Sequence, residues 1–249
     1  PACRQAGADA ILKIRATIYV HYHSVNGLLT EGAMMRVDFV DLNAQYQEVE
    51  QEIEAGLKAV FSKGNFILGE EVKQFEEAFA KYCGRRFGVG VNSGTDALFL
   101  GLLSLGIGKG DEVIVPAFTY IATALAVSYT GAKVVFVDID EKTYNIEVQK
   151  IKKAITAKTK AIVPVHLYGQ PADMDELLSV ARENNLKVIE DAAQAHGAEY
   201  KNKRAGALGD LGCFSFYPTK NLGAFGDGGM VITDAPEVHR RLLMLRDYG

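Results

Sequence analysis

The chain has 249 residues, 48% of them hydrophobic and 23% charged, with a formal net charge of -4. These are the values of a globular protein long enough to bury a sizeable core, and the mild acidity argues against a nucleic-acid partner. Three cysteines, Cys3, Cys83 and Cys213, lie far apart with no C-x-x-C pair. That speaks against a disulfide framework or a thiolate zinc site and fits a reducing cytoplasm. No apolar run approaches the roughly 18 residues of a membrane span.

Residues 1–33 show no clear period beyond a short patch at Ile14–Tyr22, whereas Met34 and Met35 are followed at once by patterned sequence. The expectation is that translation starts at Met34 or Met35 and that residues 1–34 are a non-native or disordered leader. The leader lacks the compact apolar core and A-x-A-like site of a secretory signal. His21 and His23 fall within it and are weak evidence for a metal site. From residue 46 the chain reads as helix, with Val49, Ile53, Leu57 and Val60 on one face. A second helix places Val72, Phe75, Phe79 and Tyr82 on one stripe and stops at Gly84.

A regular alternation follows. Phe87–Val91 is a strand and Thr95–Leu105 a helix. Glu112–Val115 is a strand ending at Pro116, and Ile121–Tyr129 a helix. Lys133–Val137 is a strand and Ile146–Ile155 a helix. Ala161–Val165 is a strand, and Asp173–Asn184 a helix opening with a capping-box-like Asp173 and Glu176. Lys187–Ile189 is the next strand, and Cys213–Phe216 and Gly229–Thr233 are two more with a glycine-rich turn between them. Nearly all of these strands are apolar. The pattern predicts an α/β fold with a mostly parallel central sheet and helices on both faces. Ligands in such sheets bind beyond the carboxyl ends of the strands.

Three strand ends carry candidate chemistry. After Phe87–Val91 comes Asn92-Ser93-Gly94-Thr95-Asp96-Ala97. A glycine at a helix start, with free N–H groups and the Ser93 and Thr95 hydroxyls, would cradle a phosphate; an ordinary N-cap is the simpler reading of this stretch alone. It is not a P-loop. After Lys187–Ile189 comes Glu190-Asp191-Ala192-Ala193-Gln194-Ala195-His196. A carboxylate at an apolar strand end needs a partner. A protonated pyridine nitrogen, a structural cation and a metal ion are comparable readings of that motif. After Cys213–Phe216 comes Tyr217-Pro218-Thr219-Lys220-Asn221, then Gly226-Asp227-Gly228-Gly229. Most lysines are solvated surface charges, but a partly desolvated one can form a Schiff base with an aldehyde. In combination, a phosphate cup, a strand-end acid and a lysine are the parts of a pyridoxal-5'-phosphate (PLP) site. Tyr120, after the strand ending at Pro116, would stack on the ring, with Phe118 as second choice and core packing as the alternative for both.

At this point the sequence resembles the DegT/DnrJ/EryC1/StrS sugar aminotransferase family of fold-type-I PLP enzymes, from about Val37 to Gly249. The resemblance is carried by Asn92–Leu98, Gly110–Pro116, Val165–Pro171, Glu190–Gly197 and Ser215–Asn221. It implies that residues 35–249 hold an N-terminal helical segment and the PLP-binding large domain, and that a small C-terminal domain is absent from this chain. It implies Lys220 as the catalytic lysine that holds the cofactor, Asp191 on the pyridine nitrogen and Gln194 near the ring's 3-hydroxyl. Gly94, Thr95, Asp96 and Ser215 match the phosphate site, and Tyr120 matches the stacking aromatic. His166 matches a strand-end histidine without a catalytic role. The implied partners are L-glutamate, a dTDP- or UDP-linked 3- or 4-keto sugar, and a second copy of the chain sharing the active sites. The Leu167–Pro171 stretch looks like the subgroup acting on dTDP-linked 3-keto-6-deoxyhexoses. Relatives with His in place of the lysine are dehydratases, so Lys220 favours transamination. Another fold-type-I PLP enzyme, a lyase or dehydratase, and a non-catalytic PLP-binding regulatory relative are the alternatives.

Overall fold

The computed structural model describes residues 39–248. The leader 1–34, with Cys3, His21 and His23, lies outside the described residues. The compact unit runs from Leu42 to Gly249. It opens with α1 (Leu42–Lys63) and α2 (Glu70–Cys83), the latter closed by Gly84 at φ 80°. Then follow β1 (Phe87–Val91), α3 (Gly94–Ser104), β2 (Glu112–Pro116), α4 (Ala122–Tyr129), β3 (Lys133–Val137), α5 (Val148–Ala154) and β4 (Thr159–Ile162). After a 3-10 turn at Leu167–Gly169 come α6 (Met174–Glu183), β5 (Lys187–Asp191), the short hairpin β6 (Glu199–Tyr200) and β7 (Lys203–Arg204), β8 (Leu211–Ser215), β9 (Gly229–Thr233) and α7 (Pro236–Arg246).

Seven strands form one sheet in the order β1-β9-β8-β5-β4-β2-β3. The pairs β2·β3, β2·β4, β4·β5 and β5·β8 are parallel, and only β9 runs against its neighbours β1 and β8. The strand alternation assigns each residue to a face. Val113, Val115, Ala161, Ile189, Leu211, Cys213 and Val231 pack with α3, α4 and α7 residues such as Leu98, Leu102, Ala126 and Leu242. Ile114, Ile162 and Val188 point the other way, toward Ile151 of α5 and Met174 and Leu177 of α6. Farther along the sheet, Phe214, Met230 and Ile232 pack with Phe79 and Ala80 of α2. Both faces are therefore dry, which is why these strands read as continuous apolar runs. Among the described residues no helix is long and apolar enough to cross a membrane.

Four of the elements read from the sequence differ in the structure. The apolar stripe of α1 finds no cover: the helix has no buried residue, and Val49 and Leu57 are exposed. On α2 the stripe is buried only at Phe79, while Val72, Phe75 and Tyr82 remain exposed. The capping box at α6 does not form. Asp173 makes no cap hydrogen bond and accepts instead from the Tyr200 hydroxyl at 2.9 Å, while Glu176 turns to Gln149 and Lys152. The strand expected at Ala161–Val165 is regular only over Thr159–Ile162; the Val163 N–H still donates to the Ile114 carbonyl of β2, and Val165 then bridges to Asp191.

Candidate active site

The carboxyl edge of the sheet opens on a cavity of about 520 Å3. Its wall includes Gly94, Thr95, Tyr120, Asp191, Gln194, Ser215 and Lys220, so seven separate sequence candidates meet in one place. Asp96 is not on the wall. Its N–H donates to Ser93 Oγ at 3.1 Å, and Ala97 N–H donates to the Ser93 carbonyl at 2.9 Å. This N-cap leaves the Gly94 and Thr95 N–H groups without an intrahelical acceptor, and both residues face the cavity. Backbone packing fixes that helix start. A Cβ on Gly94 would lie 2.6 Å from Ser215 Cβ, and one on Gly229 would lie 2.2 Å from the Ser93 carbonyl oxygen. Glycine at both positions lets α3, β8 and β9 close together, and so sets the free N–H groups beside the Ser215 hydroxyl.

Asp191 ends β5 with its side chain buried. Oδ2 accepts from Thr123 Oγ1 at 2.8 Å and Oδ1 from the Ala193 N–H at 3.2 Å. Burial pushes its carboxyl above the usual range, and the Thr123 and Ala193 hydrogen bonds with the nearby His166 and Lys220 offset this only in part. A carboxylate so placed is short of a cation. Lys220 stands half-buried on the same wall, in a turn where its N–H donates to the Tyr217 carbonyl at 2.8 Å. The loop beyond it is tied at its base, with Phe216 N–H on the Gly228 carbonyl and Ala224 N–H on the Phe216 carbonyl. Gln194 is oriented from outside the cavity: its Oε1 accepts the Tyr168 N–H at 2.8 Å, and Tyr168 takes a left-handed φ of 55°. Tyr120 presents a largely exposed ring to the cavity, whereas Phe118 turns away against Tyr144.

Behind the wall lie groups to which the sequence reading gave no role. His166 and Glu190 are wholly buried and paired, Nε2 to Oε2 at 2.8 Å. The His166 Nδ1 accepts the Ala172 N–H, so its proton sits on Nε2 and is donated to Glu190. Glu190 also accepts from the N–H groups of Gly206, Leu208 and Gly209. Burial alone would raise the Glu190 carboxyl, but the His166 contact and these N–H groups outweigh it and hold it below the usual range. Thr119 and Thr123 were also missed. The two hydroxyls lie 2.8 Å apart, Thr123 on Asp191 and Thr119 on the cavity wall. Cys213 is buried and donates to the Ala97 carbonyl, as an inert core residue does.

A doubly covered, mostly parallel sheet whose carboxyl edge gathers a lysine, a buried acid and a helix N-terminus defines the large domain of a fold-type-I PLP protein. The chain belongs to the DegT/DnrJ/EryC1/StrS aminotransferase family, whose model matches residues 47–249. It is 54% identical over 214 residues to a dTDP-3-amino-3,4,6-trideoxy-alpha-D-glucose transaminase from Streptomyces venezuelae, covering 86% of this chain and 56% of that protein. It is 51% identical over 213 residues to a UDP-N-acetyl-3-dehydro-alpha-D-glucosamine 3-aminotransferase from Acidithiobacillus ferrooxidans, covering 86% and 58%. The crystal structure of S. venezuelae DesV in complex with a ketimine intermediate matches with a TM-score of 0.85 and 53% identity, over 87% of this chain and 58% of that one. The chain thus spans a little over half the length of these relatives.

The family is PLP-dependent, and the residues present fit that cofactor. The glycine-floored cradle of N–H groups suits a phosphate, the under-compensated Asp191 suits a protonated ring nitrogen, and Lys220 suits an aldehyde.

Proposed function

We propose that this chain is the cofactor-binding domain of a PLP-dependent aminotransferase that moves an amino group from L-glutamate to a nucleotide-linked keto-sugar, in amino-sugar biosynthesis. The observation that carries the reading is the meeting of Lys220, buried Asp191 and the first turn of α3 on one cavity wall. When bound, PLP supplies an aldehyde carbon that bonds to amines and a ring that accepts the electron pair left on the donor's Cα. Lys220 is the amine that would hold that carbon, and its Nζ, when free, would move the proton from the donor's Cα. Asp191 keeps the ring nitrogen protonated, since a dry, partly satisfied carboxylate favours a cation beside it. The N–H groups of Gly94 and Thr95, with the Ser215 hydroxyl, receive the phosphate. Gln194, held by Tyr168, turns its amide to the ring's 3-hydroxyl side, and Tyr120 stacks on the ring. Asp96 contributes to the phosphate site chiefly by anchoring the Ser93 cap.

The acceptor we favour is a dTDP-linked 3-keto-6-deoxyhexose, with UDP-linked and 4-keto sugars as the alternatives. The names of the two relatives, one a dTDP-3-amino-sugar and the other a UDP-3-dehydro-sugar enzyme, support amination at C3. A homodimer is supported by the apolar side chains left uncovered at Val49, Leu57, Phe61, Phe66 and Ile67. A reducing cytoplasm suits the free Cys83 and Cys213. The test is the visible absorption spectrum of the chain with added PLP, followed by titration with L-glutamate. A yellow band that Lys220→Ala abolishes, and that glutamate bleaches in the wild type, is the expected result. A band unaffected by Lys220→Ala overturns the lysine assignment, and a band that glutamate leaves unchanged overturns aminotransfer by this chain.

A further inference from the structure

Thr119 ends its hydroxyl 2.8 Å from that of Thr123, in the turn that leads from β2 into α4. Thr123 is buried, and its hydroxyl lies 2.8 Å from Asp191 Oδ2. A threonine hydroxyl has one proton and two lone pairs, and an ionised carboxylate can only accept. The Thr123 proton is therefore committed to Asp191, and the proton in the first contact comes from Thr119. The three groups form a chain of fixed direction, from the cavity wall inward to the acid. Because Ala193 N–H holds Oδ1 while Thr123 holds Oδ2, the carboxylate plane is pinned at both oxygens. Neither threonine oxygen caps a helix end, and valine matches threonine in shape.

Resting on the PLP reading above, we propose that Thr119 and Thr123 are positioning residues, a directed hydroxyl relay that keeps Asp191 ionised and aimed at the cofactor's ring nitrogen. Hydrogen bonds to a charged acceptor, lengthened into a chain of polarised hydroxyls, stabilise the charge more than a single neutral contact does. The charged and titratable groups acting on Asp191 from the neighbouring elements are His166, Lys220 and, on β8 opposite it, the Cys213 thiol. All three remain when the threonines are replaced.

The test uses Thr123→Val, Thr123→Ser and Thr119→Val in the full chain. Asp191 is titrated by carbon-13 NMR of its carboxyl without cofactor, assigned with Asp191→Asn, and PLP dissociation is then measured by absorbance. Thr123→Val is expected to raise the proton affinity of the carboxyl by about tenfold and to weaken PLP binding by about as much. Thr123→Ser restores both to within about twofold of wild type, and Thr119→Val moves both in the same direction by less. A folded Thr123→Val chain that titrates like wild type overturns the relay, as does a Thr123→Ser chain that behaves like valine. If Thr123→Val does not fold, Thr119→Val decides by the same two readouts. A wild-type chain that binds no PLP removes the cofactor reading, and the cofactor-free titration then decides the relay by itself.

Discussion

Replacing Glu190 with glutamine removes one charge and almost no volume, yet the structure assigns it a large cost. Each carboxylate oxygen accepts two hydrogen bonds. Oε2 takes the His166 Nε2–H and the Gly206 N–H, and Oε1 takes the N–H groups of Leu208 and Gly209. Whichever oxygen becomes an NH2 group, a donor then faces two donors. The histidine cannot compensate by moving its proton, because Nδ1 must stay an acceptor for the Ala172 N–H. Two charge-assisted hydrogen bonds are lost, at about 1.5–3 kcal/mol each, so E190Q is destabilised by about 3–6 kcal/mol. That is a large part of a typical folding stability of about 5–15 kcal/mol. The pH dependence has a definite sign. The folded carboxyl is held below the usual range, so its contribution is complete above the unfolded glutamate value of about 4.3 and is lost as pH falls through the folded value. Urea unfolding followed by circular dichroism at neutral pH and again in mild acid measures both effects. The deficit of E190Q should be largest at neutral pH and should narrow in acid. A neutral-pH midpoint equivalent to less than about 1 kcal/mol of lost stability would refute the account of Glu190 as a fully satisfied buried acceptor.

Other outcomes follow from the packing around the cavity. Gly229→Ala drives a methyl into the Ser93 carbonyl, which is backbone and cannot step aside, so stability falls by about 1–3 kcal/mol and PLP affinity falls with it as the α3 start is displaced; unfolding and PLP titration of the variant check both, and wild-type values would contradict the close-packed floor. Burial pushes the Cys83 thiol up to about 12 and the Cys213 thiol well above its ordinary value. At pH 8 only about one part in ten thousand of Cys83 is thiolate. Both cysteines should therefore resist a thiol reagent until denaturant is added, and mass spectrometry of alkylated peptides would expose the error if either were modified in the native chain. Gly94→Ala sets a Cβ against Ser215 Cβ and should weaken PLP binding more than Thr95→Ala, which leaves the backbone N–H groups in place; equal effects would argue against a backbone cradle.

Much of the fold is legible because both faces of the sheet are dry. Strands such as Glu112–Pro116 and Leu211–Ser215 are buried at every position, and runs of that kind between glycines and helices can be read directly. The failures have physical causes. The hairpin of β6 and β7 turns on Lys201 and Asn202, both with positive φ, and so lacks the Asn-Gly signal that marks such turns. Helix α7 carried a usable signal in Pro236 at its start followed by Glu237, but its mean hydropathy is low and only Val238 and Leu242 are buried. The apolar stripes of α1 and α2 are legible as faces, but periodicity does not say what covers a face, and most of both stripes is left uncovered.

The site shows the same division. Glycine, lysine and acid at strand ends are visible as exceptions to an apolar pattern, but Thr123 within an apolar helix and His166 after an apolar strand look like filler until their partners are known. One further signal was present in the sequence. Glu190 and Asp191 are adjacent on β5, so the strand alternation sends their side chains to opposite faces. Their hydrogen-bond partners are therefore separate, and each requires its own. The structure supplies Glu190 with His166 and three N–H groups, and its carboxyl falls below the usual range. It supplies Asp191 with one hydroxyl and one N–H, and its carboxyl rises. Two carboxylates one residue apart, equally buried, are thus shifted in opposite directions by the number of donors each receives. The fully satisfied acid holds the strand end and its loop in place. The acid left short faces the cavity, with fewer hydrogen-bond donors among the described residues than its neighbour has.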